Sequence, residues 1–252
     1  GPQQWIVRIT KKDLNQQEET VGEIVAKDFN KIAVFKKYGI DFCCNGKRTL
    51  TEACAKKGLN VEAVKSELQT STAIAQHALP YNEWNLGFLA DYIVNTYHAY
   101  VVKTLETLVP IALKVATKHA DSNANLPEIN FLVQQLDAEM RSHQMKEERV
   151  LFPYVKELTE AQQSSSVAHA AHFGTVKNPV NMMEMEHEHA GEIMAKLRVL
   201  TNNYTPPAEA CNSYKALYGL LEEFETKLHE HIHLENNVLF PRAIELEKTL
   251  LN

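Results

Sequence analysis

One eleven-residue pattern occurs twice in the sequence, and it constrains the fold more than any other feature. Residues 143–153 and 231–241 both read H-x-x-x-E-x-x-V-L-F-P. A histidine and a glutamate four positions apart lie on the same face of an α-helix. One such pair is common by chance, but two copies within one shared frame indicate a duplicated helical unit.

The repeat extends upstream to a second histidine in each half. His98 precedes His143 by 45 residues, and His187 precedes His231 by 44 residues. Each half therefore contains a histidine, a turn and then the H-x-x-x-E pair. Two such halves related by a pseudo-twofold axis would bring four imidazoles and two carboxylates to the centre of a bundle.

Apolar residues at helical spacing surround these polar positions. The pattern predicts four long helices, near residues 84–118, 127–159, 176–201 and 208–248. Val150 falls in the predicted core row of the second helix, and Pro110 predicts a kink or a break in the first. Four amphipathic helices with short or medium connections predict an all-α fold built on a four-helix bundle.

Burying four imidazoles and two carboxylates is costly unless their charge and hydrogen-bonding groups are compensated. Two multivalent cations would supply that compensation, with each glutamate bridging both. Nitrogen and oxygen ligands without thiolate suit iron or manganese better than structural zinc. The competing interpretation is a core of hydrogen-bonded histidines with surface glutamates. The predicted metal ligands are His98, His143, Glu147, His187, His231 and Glu235.

The chain contains eleven histidines, and the others fit this site less well. Histidines two positions from a predicted ligand lie about 200° around the helix, so they are predicted to face away, toward solvent or the outer surroundings of the site. They are His189, His229 and His233, while His77 falls in a predicted linker and His169 and His172 in an Ala/His stretch. His119 follows His98 by 21 residues, about 30 Å along a straight helix, so it joins the site only after a large break near Pro110.

The residues before the bundle form a smaller unit in this interpretation. Residues 13–70 are predicted to be a small helical domain, 71–83 a linker and 84–252 the bundle. Thr49 or Thr51 could cap one of the short helices, and Asn60 could cap the next.

A turn in this domain carries two adjacent cysteines, Cys43 and Cys44. Adjacent cysteines do not fit a disulfide framework, which favours a reducing, cytoplasmic setting. As thiolates they could bind a metal transiently, react with nitric oxide or exchange disulfides, and they are the candidate redox or iron-transfer pair. The alternative is two small residues in a tight turn. Cys54 and Cys211 are predicted to be packing residues.

Charge and hydropathy exclude two classes of partner. The net charge is -6, and no run of Lys or Arg exceeds two residues, so a nucleic-acid surface is not expected. No apolar stretch approaches the roughly 20 residues that a membrane-spanning helix needs.

Several stretches resemble the iron-sulfur cluster repair di-iron proteins, which have a hemerythrin-like domain after a short N-terminal domain with vicinal cysteines. The similarity covers about residues 20–245, through the duplicated histidine frame, residues 38–47, residues 206–211 and residues 235–243. One departure is Asn45, where the family commonly has glycine. The resemblance implies two iron ions on the six predicted ligands, both glutamates bridging, with an oxo or hydroxo bridge expected.

The resemblance also implies a stress-response protein that repairs iron-sulfur clusters after nitrosative or oxidative damage by donating iron. Its partners would be damaged iron-sulfur proteins, and a homodimer is compatible with the family. Two alternatives stay open: a hemerythrin-like protein that binds nitric oxide or oxygen, and a di-iron enzyme such as a nitric oxide reductase. The cysteine pair favours repair, because a simple oxygen carrier has no use for it.

Overall fold

The computed structural model describes residues 17–71 and 79–251. The described residues form helices, with two isolated β-bridges and no strand, which confirms the all-α prediction. His77 and most of the predicted linker lie outside the described residues, and the domain boundaries stay predictions.

Four short helices make up the N-terminal region: α1 (Val21–Lys27), α2 (Ile32–Lys37), α3 (Leu50–Lys57) and α4 (Val61–Thr70). Thr20 and Thr49 each begin a helix with a capping box, in which the threonine side chain and a glutamate three residues later satisfy free backbone N–H groups. Asn60 caps α4 as predicted. Gly58 ends α3 in the left-handed conformation, with φ of 65°.

Four long helices follow, and three of them contain a π-helical segment. α5 comprises Leu86–Ile93, the π segment Val94–His98 and Ala99–His119; α6 comprises Leu126–Lys146, the π segment Glu147–Leu151 and Phe152–Gln163. α7 is Lys177–Leu200; α8 comprises Asn212–His233, the π segment Leu234–Leu239 and Phe240–Leu251. Each predicted helix boundary lies within four residues of the observed one.

The four long helices form the predicted bundle. α5 packs against α6 and α8, and α7 packs against the same two helices. The helix continues through Pro110, so of the predicted kink or break, the break is wrong. Pro110 lies on an exposed face, where water can bind the carbonyl that lost its N–H partner.

The N-terminal region packs closely on α8. Side chains from both regions share one apolar cluster, which includes Val21 and Phe35 of the N-terminal region and Leu228 and Ile232 of α8. At Gly46 an added Cβ would lie 2.6 Å from the Phe42 carbonyl oxygen and 2.7 Å from Asn237 Oδ1. Glycine is therefore needed where this turn approaches α8.

Candidate metal centre

The structure brings all six predicted ligands together inside the bundle. Every one of them is at most 2% exposed, although all are polar or charged. One histidine comes from each long helix, and the two glutamates come from α6 and α8. The residues are His98, His143, Glu147, His187, His231 and Glu235.

The ligand atoms form two groups, and both glutamates belong to each group. Within a group, the candidate donor atoms lie within 4.8 Å of one another. One group adds His98 and His231 to the two glutamates, and the other adds His143 and His187. Each group therefore takes one imidazole from each half of the repeat, and the carboxylates occupy the position of bridges.

The donor set fits a pair of cations because several of its buried polar atoms lack hydrogen-bond partners. Within the described part of the chain, Glu147 Oε1, both carboxylate oxygens of Glu235 and His231 Nε2 have none. His231 Nε2 lies only 2.8 Å from Glu235 Oε1, yet the two atoms are not aligned for a hydrogen bond. Buried groups of this kind are costly when unpaired, so a bound cation is the partner that this chemistry calls for.

The pKa values show how strongly the two carboxylates act on the imidazoles. Burial lowers the pKa of His143, but the charges of Glu147 and Glu235 and the nearby Glu186 raise it to about 10. Burial raises the pKa of Glu235, but His231 and His187 outweigh it and hold that pKa well below its usual range. The centre is therefore electrostatically disposed to hold positive charge beside its carboxylates.

Outer contacts fix two histidines with their Nε2 atoms turned inward. His98 Nδ1 donates to Glu148 Oε1 at 2.7 Å, and His187 Nδ1 donates to Asn236 Oδ1 at 2.7 Å. An imidazole that donates through Nδ1 keeps the Nε2 lone pair free for a metal. Sequence reasoning missed both partners, although each directly follows a predicted glutamate ligand and so occupies the same position of the repeat.

The phenylalanine of the repeated frame has an equivalent role in both halves. Phe152 stacks on His98 with ring centroids 5.7 Å apart, and Phe240 stacks on His187 at 6.0 Å. The interplanar angles are 16° and 5°. The V-L-F-P part of the pattern therefore orients the upstream histidine of its own half, a role that the spacing alone did not reveal.

The π segments contain three of the six candidate ligands: His98, Glu147 and Glu235. A π segment adds one residue to a turn and shifts the face that the following residues present. The prediction for Val150 is wrong, since its side chain is 38% exposed, whereas Leu151 is buried at 1%.

His119 lies elsewhere in the bundle. Its Nε2 atom is 3.3 Å from Cys211 Sγ, and its ring packs on Tyr214. Because α5 continues through Pro110, His119 stays about 30 Å along the helix from His98. It belongs to neither group of candidate ligands.

Two histidines on α8 contact the N-terminal region. His233 is 1% exposed and contacts the rings of Phe29 and Phe42, and burial lowers its pKa to about 3. His229 contacts Phe42 as well. They face away from the metal centre as predicted, but into a second packed interface. His189, also predicted to face away, is half exposed and bonds Glu139.

The cysteine turn lies directly against the second half of the repeat. Asn236, which accepts a hydrogen bond from His187, donates its Nδ2 group to the Cys43 carbonyl at 3.2 Å. Cys44 Sγ lies 3.6 Å from the His187 carbonyl oxygen. The two sulfurs are 3.9 Å apart, and the contact with Cys44 and burial raise the pKa of Cys43.

Two family models match the chain. The model described as a domain of unknown function (DUF542) covers residues 17–72, and the model described as the hemerythrin HHE cation binding domain covers residues 89–243. The second match spans more than half of the chain, and its residues include all six candidate ligands. The chain belongs to the hemerythrin HHE cation-binding family.

Similar proteins with assigned names show which members of this family the chain resembles. The proteins called iron-sulfur cluster repair protein YtfE from Citrobacter koseri and from Escherichia coli O157:H7 are 37% identical over 231 residues. The alignment covers 90% of this chain and 97% of each relative. The YtfE protein of Shigella boydii serotype 4 is 36% identical over the same length. The resemblance inferred from the cysteine turn and the duplicated frame is confirmed.

Among residues 17–71 and 79–251, the helices do not combine the length and apolar character needed to cross a membrane.

Proposed function

We propose that the centre holds two iron ions, ligated by the six buried side chains, with an oxo or hydroxo bridge between them. The observation that carries this proposal is the pair of donor groups that share both Glu147 and Glu235. His98 and His231 would hold one ion, His143 and His187 would hold the other, and both ions would share Glu147 and Glu235. Nitrogen and oxygen donors without thiolate suit iron.

When bound, the iron would supply Lewis-acid and redox chemistry, while the protein residues control its position and access to it. Glu148 and Asn236 hold the imidazole tautomers through the contacts described above. The buried shell excludes water from the carboxylates. Phe152 and Phe240 limit rotation of the histidine rings on which they stack.

We further propose that the protein repairs iron-sulfur clusters damaged by nitrosative or oxidative stress by donating iron to damaged iron-sulfur proteins. The named repair relatives support this, and so does the contact between the metal centre and the cysteine turn. Asn236 joins a candidate iron ligand to the backbone of Cys43. A tightly closed storage or carrier site would not need that link.

A second candidate function is the binding or reduction of nitric oxide or oxygen. A largely apolar cleft of about 410 Å³ lies over His143 and His187, with Met140 and Met185 in its walls. Such a cleft suits a small neutral gas. The cysteine pair could then supply electrons, so this alternative would make the protein an enzyme.

Labelled iron separates the two functions. The ⁵⁷Fe-loaded protein is mixed with a [4Fe–4S] enzyme that nitric oxide has inactivated, and the label and the enzyme activity are followed together. Repair predicts label in the client and recovered activity. Rapid nitric oxide consumption without label transfer would reject the repair proposal.

The proposal also includes the cellular location and the oligomeric state of the protein. A cytoplasmic location agrees with four cysteines that form no disulfide in the described chain. A homodimer is an arrangement that size-exclusion chromatography with light scattering would detect.

A further inference from the structure

The turn that carries Asp41, Cys43 and Cys44 brings three potential metal ligands together outside the bundle centre. We propose that these residues form a second metal site, which receives an iron ion from the His143–His187 side of the centre and presents it to the client. This inference rests on the proposed iron-donor function and names the route that the ion takes.

The separation of the two sulfurs matches metal binding. Two thiolates about 2.3 Å from one tetrahedral ion lie about 3.8 Å apart. Cys43 Sγ and Cys44 Sγ are 3.9 Å apart. A disulfide requires about 2.0 Å, so oxidation would force the turn to change, whereas an ion can bind the sulfurs where they are.

Asp41 supplies a third donor and holds the turn in place. Its Oδ1 atom is 3.4 Å from Cys43 Sγ, near the separation of about 3.6 Å for an oxygen and a sulfur on one tetrahedral ion. The same oxygen accepts the backbone N–H groups of Cys43 and Cys44, each at 3.0 Å. Asn45 donates to Oδ2 at 2.6 Å. The sulfurs are thus held close together by a network that does not depend on a metal.

The site lies between the bundle centre and the surface. On its inner side, Cys44 Sγ contacts the carbonyl of His187, a candidate ligand. On its outer side, a pocket of about 310 Å³ is lined by both cysteines together with Glu184, Glu188 and Lys47. Carboxylates beside thiols attract a cation, and Lys47, which pairs with Glu184 at 3.2 Å, limits the negative charge of this pocket.

The donor set suits transfer better than storage. Thiolates favour soft or borderline ions such as ferrous iron, and three donors leave the fourth tetrahedral position open for a ligand of the client. The transfer starts from the diferrous form of the centre, which a cellular thiol reductant supplies, so the ion keeps its oxidation state during the transfer itself. The ferrous ion exchanges its imidazole and carboxylate ligands for sulfur, and two thiol protons pass to water.

Cobalt(II) provides a direct probe, because thiolate ligation gives a sulfur-to-cobalt charge-transfer band in the near ultraviolet that imidazole and carboxylate ligation do not. Cobalt(II) is titrated into the reduced full-length protein. We expect this band in the wild type. It should disappear in C43S/C44S and persist in C54S, which removes a buried cysteine from the same region. Cys43 and Cys44 should also be protected from alkylation when cobalt is bound, as mass spectrometry of the peptides would show.

Failure of this inference can be separated from failure of the proposed function. E147A/E235A should lose the bundle ions and keep the sulfur-to-cobalt band. No band in the wild type, or a band that survives in C43S/C44S, would overturn the second site even if labelled iron reaches the client. A band that is present while labelled iron never leaves the protein would overturn its role in transfer.

Discussion

The two halves of the repeat arrange their candidate metal ligands in the same way but have different surroundings. In both halves the residue after the glutamate bonds the upstream histidine, and the phenylalanine of the frame stacks on that histidine. In the first half that residue is Glu148, a charged side chain that is 43% exposed. In the second half it is Asn236, which is neutral, 7% exposed and bonded to the cysteine turn. The candidate metal ligands are therefore equivalent in the two halves, while one position gives the second half a connection to the N-terminal region.

The largest effect is expected from removing the feature that both halves share. E147A/E235A removes both candidate bridging carboxylates, so we expect near-complete loss of bound iron, measured by elemental analysis after reconstitution. E160A/E222A is the matched control, because it also removes one glutamate from α6 and one from α8, but both are exposed. Circular dichroism checks that the bundle still folds. Retention of two irons per chain would refute the ligand assignment.

The next prediction concerns the position at which the halves differ. Asn236→Leu removes the acceptor of His187 and the donor to the Cys43 carbonyl. It should therefore lower the affinity for one of the two ions by about 10–100-fold and raise the reactivity of the Cys44 thiol. Glu148→Gln in the first half should leave the cysteines unaffected. Competition with a chelator measures the affinity, and peptide alkylation measures the thiols. Equal thiol reactivity in the two variants would show that the asymmetry has no functional consequence.

A smaller effect is expected at the contact that docks the turn. Gly46→Ala places a methyl group against the Phe42 carbonyl and Asn237, and we expect it to lower the free energy of unfolding by about 1–3 kcal/mol. Gly219→Ala is the control, because that helical position has open space around it and should gain about 0.5–1 kcal/mol. Urea unfolding compares them. A Gly46→Ala variant as stable as the wild type would contradict the close approach.

The smallest effects are expected from the phenylalanines of the frame, and they should be equal in the two halves of the repeat. Phe152→Leu and Phe240→Leu keep an apolar side chain but remove the ring that stacks on a histidine. Each should cost about 0.5–1.5 kcal/mol in unfolding free energy, and the two values should agree within the error of the measurement. Calorimetry of both variants under one buffer condition is sufficient. A difference of several kcal/mol would show that the two frames do not have equivalent roles.

Much of this organisation could be predicted from the sequence because it depends on spacing. The four helices, the inward-facing row of ligands and the pairing of the halves all follow from helical periodicity. The π segments could not be predicted in this way, because an extra residue in a helical turn leaves no trace in the spacing of the apolar residues. Val150 was also predicted wrongly: it is 38% exposed, whereas Val238 at the same position of the second frame is buried at 1%, so the spacing does not distinguish the two. His233 was expected to point away from the ligands, but the sequence does not reveal that Phe29 and Phe42 would bury it.

The hydrogen-bond partners Glu148 and Asn236 could have been predicted from the repeat. Both occupy the position after the glutamate, but glutamate and asparagine differ in charge, so an identity comparison of the two frames passes over them. The docking of the cysteine turn depends on contacts between residues nearly 200 positions apart, such as Cys43 and Asn236. Contacts between residues so far apart in the sequence carry no periodic pattern from which they could be inferred.

The central claim is that one imidazole from each half binds each of two iron ions, and that Glu147 and Glu235 bridge them. Mössbauer spectroscopy of the ⁵⁷Fe-loaded, oxidised protein in an applied magnetic field tests this most directly. We predict two irons per chain with antiferromagnetically coupled spins, because bridging ligands couple adjacent ferric ions. A single iron per chain, or two ferric ions with uncoupled spins, would contradict the claim.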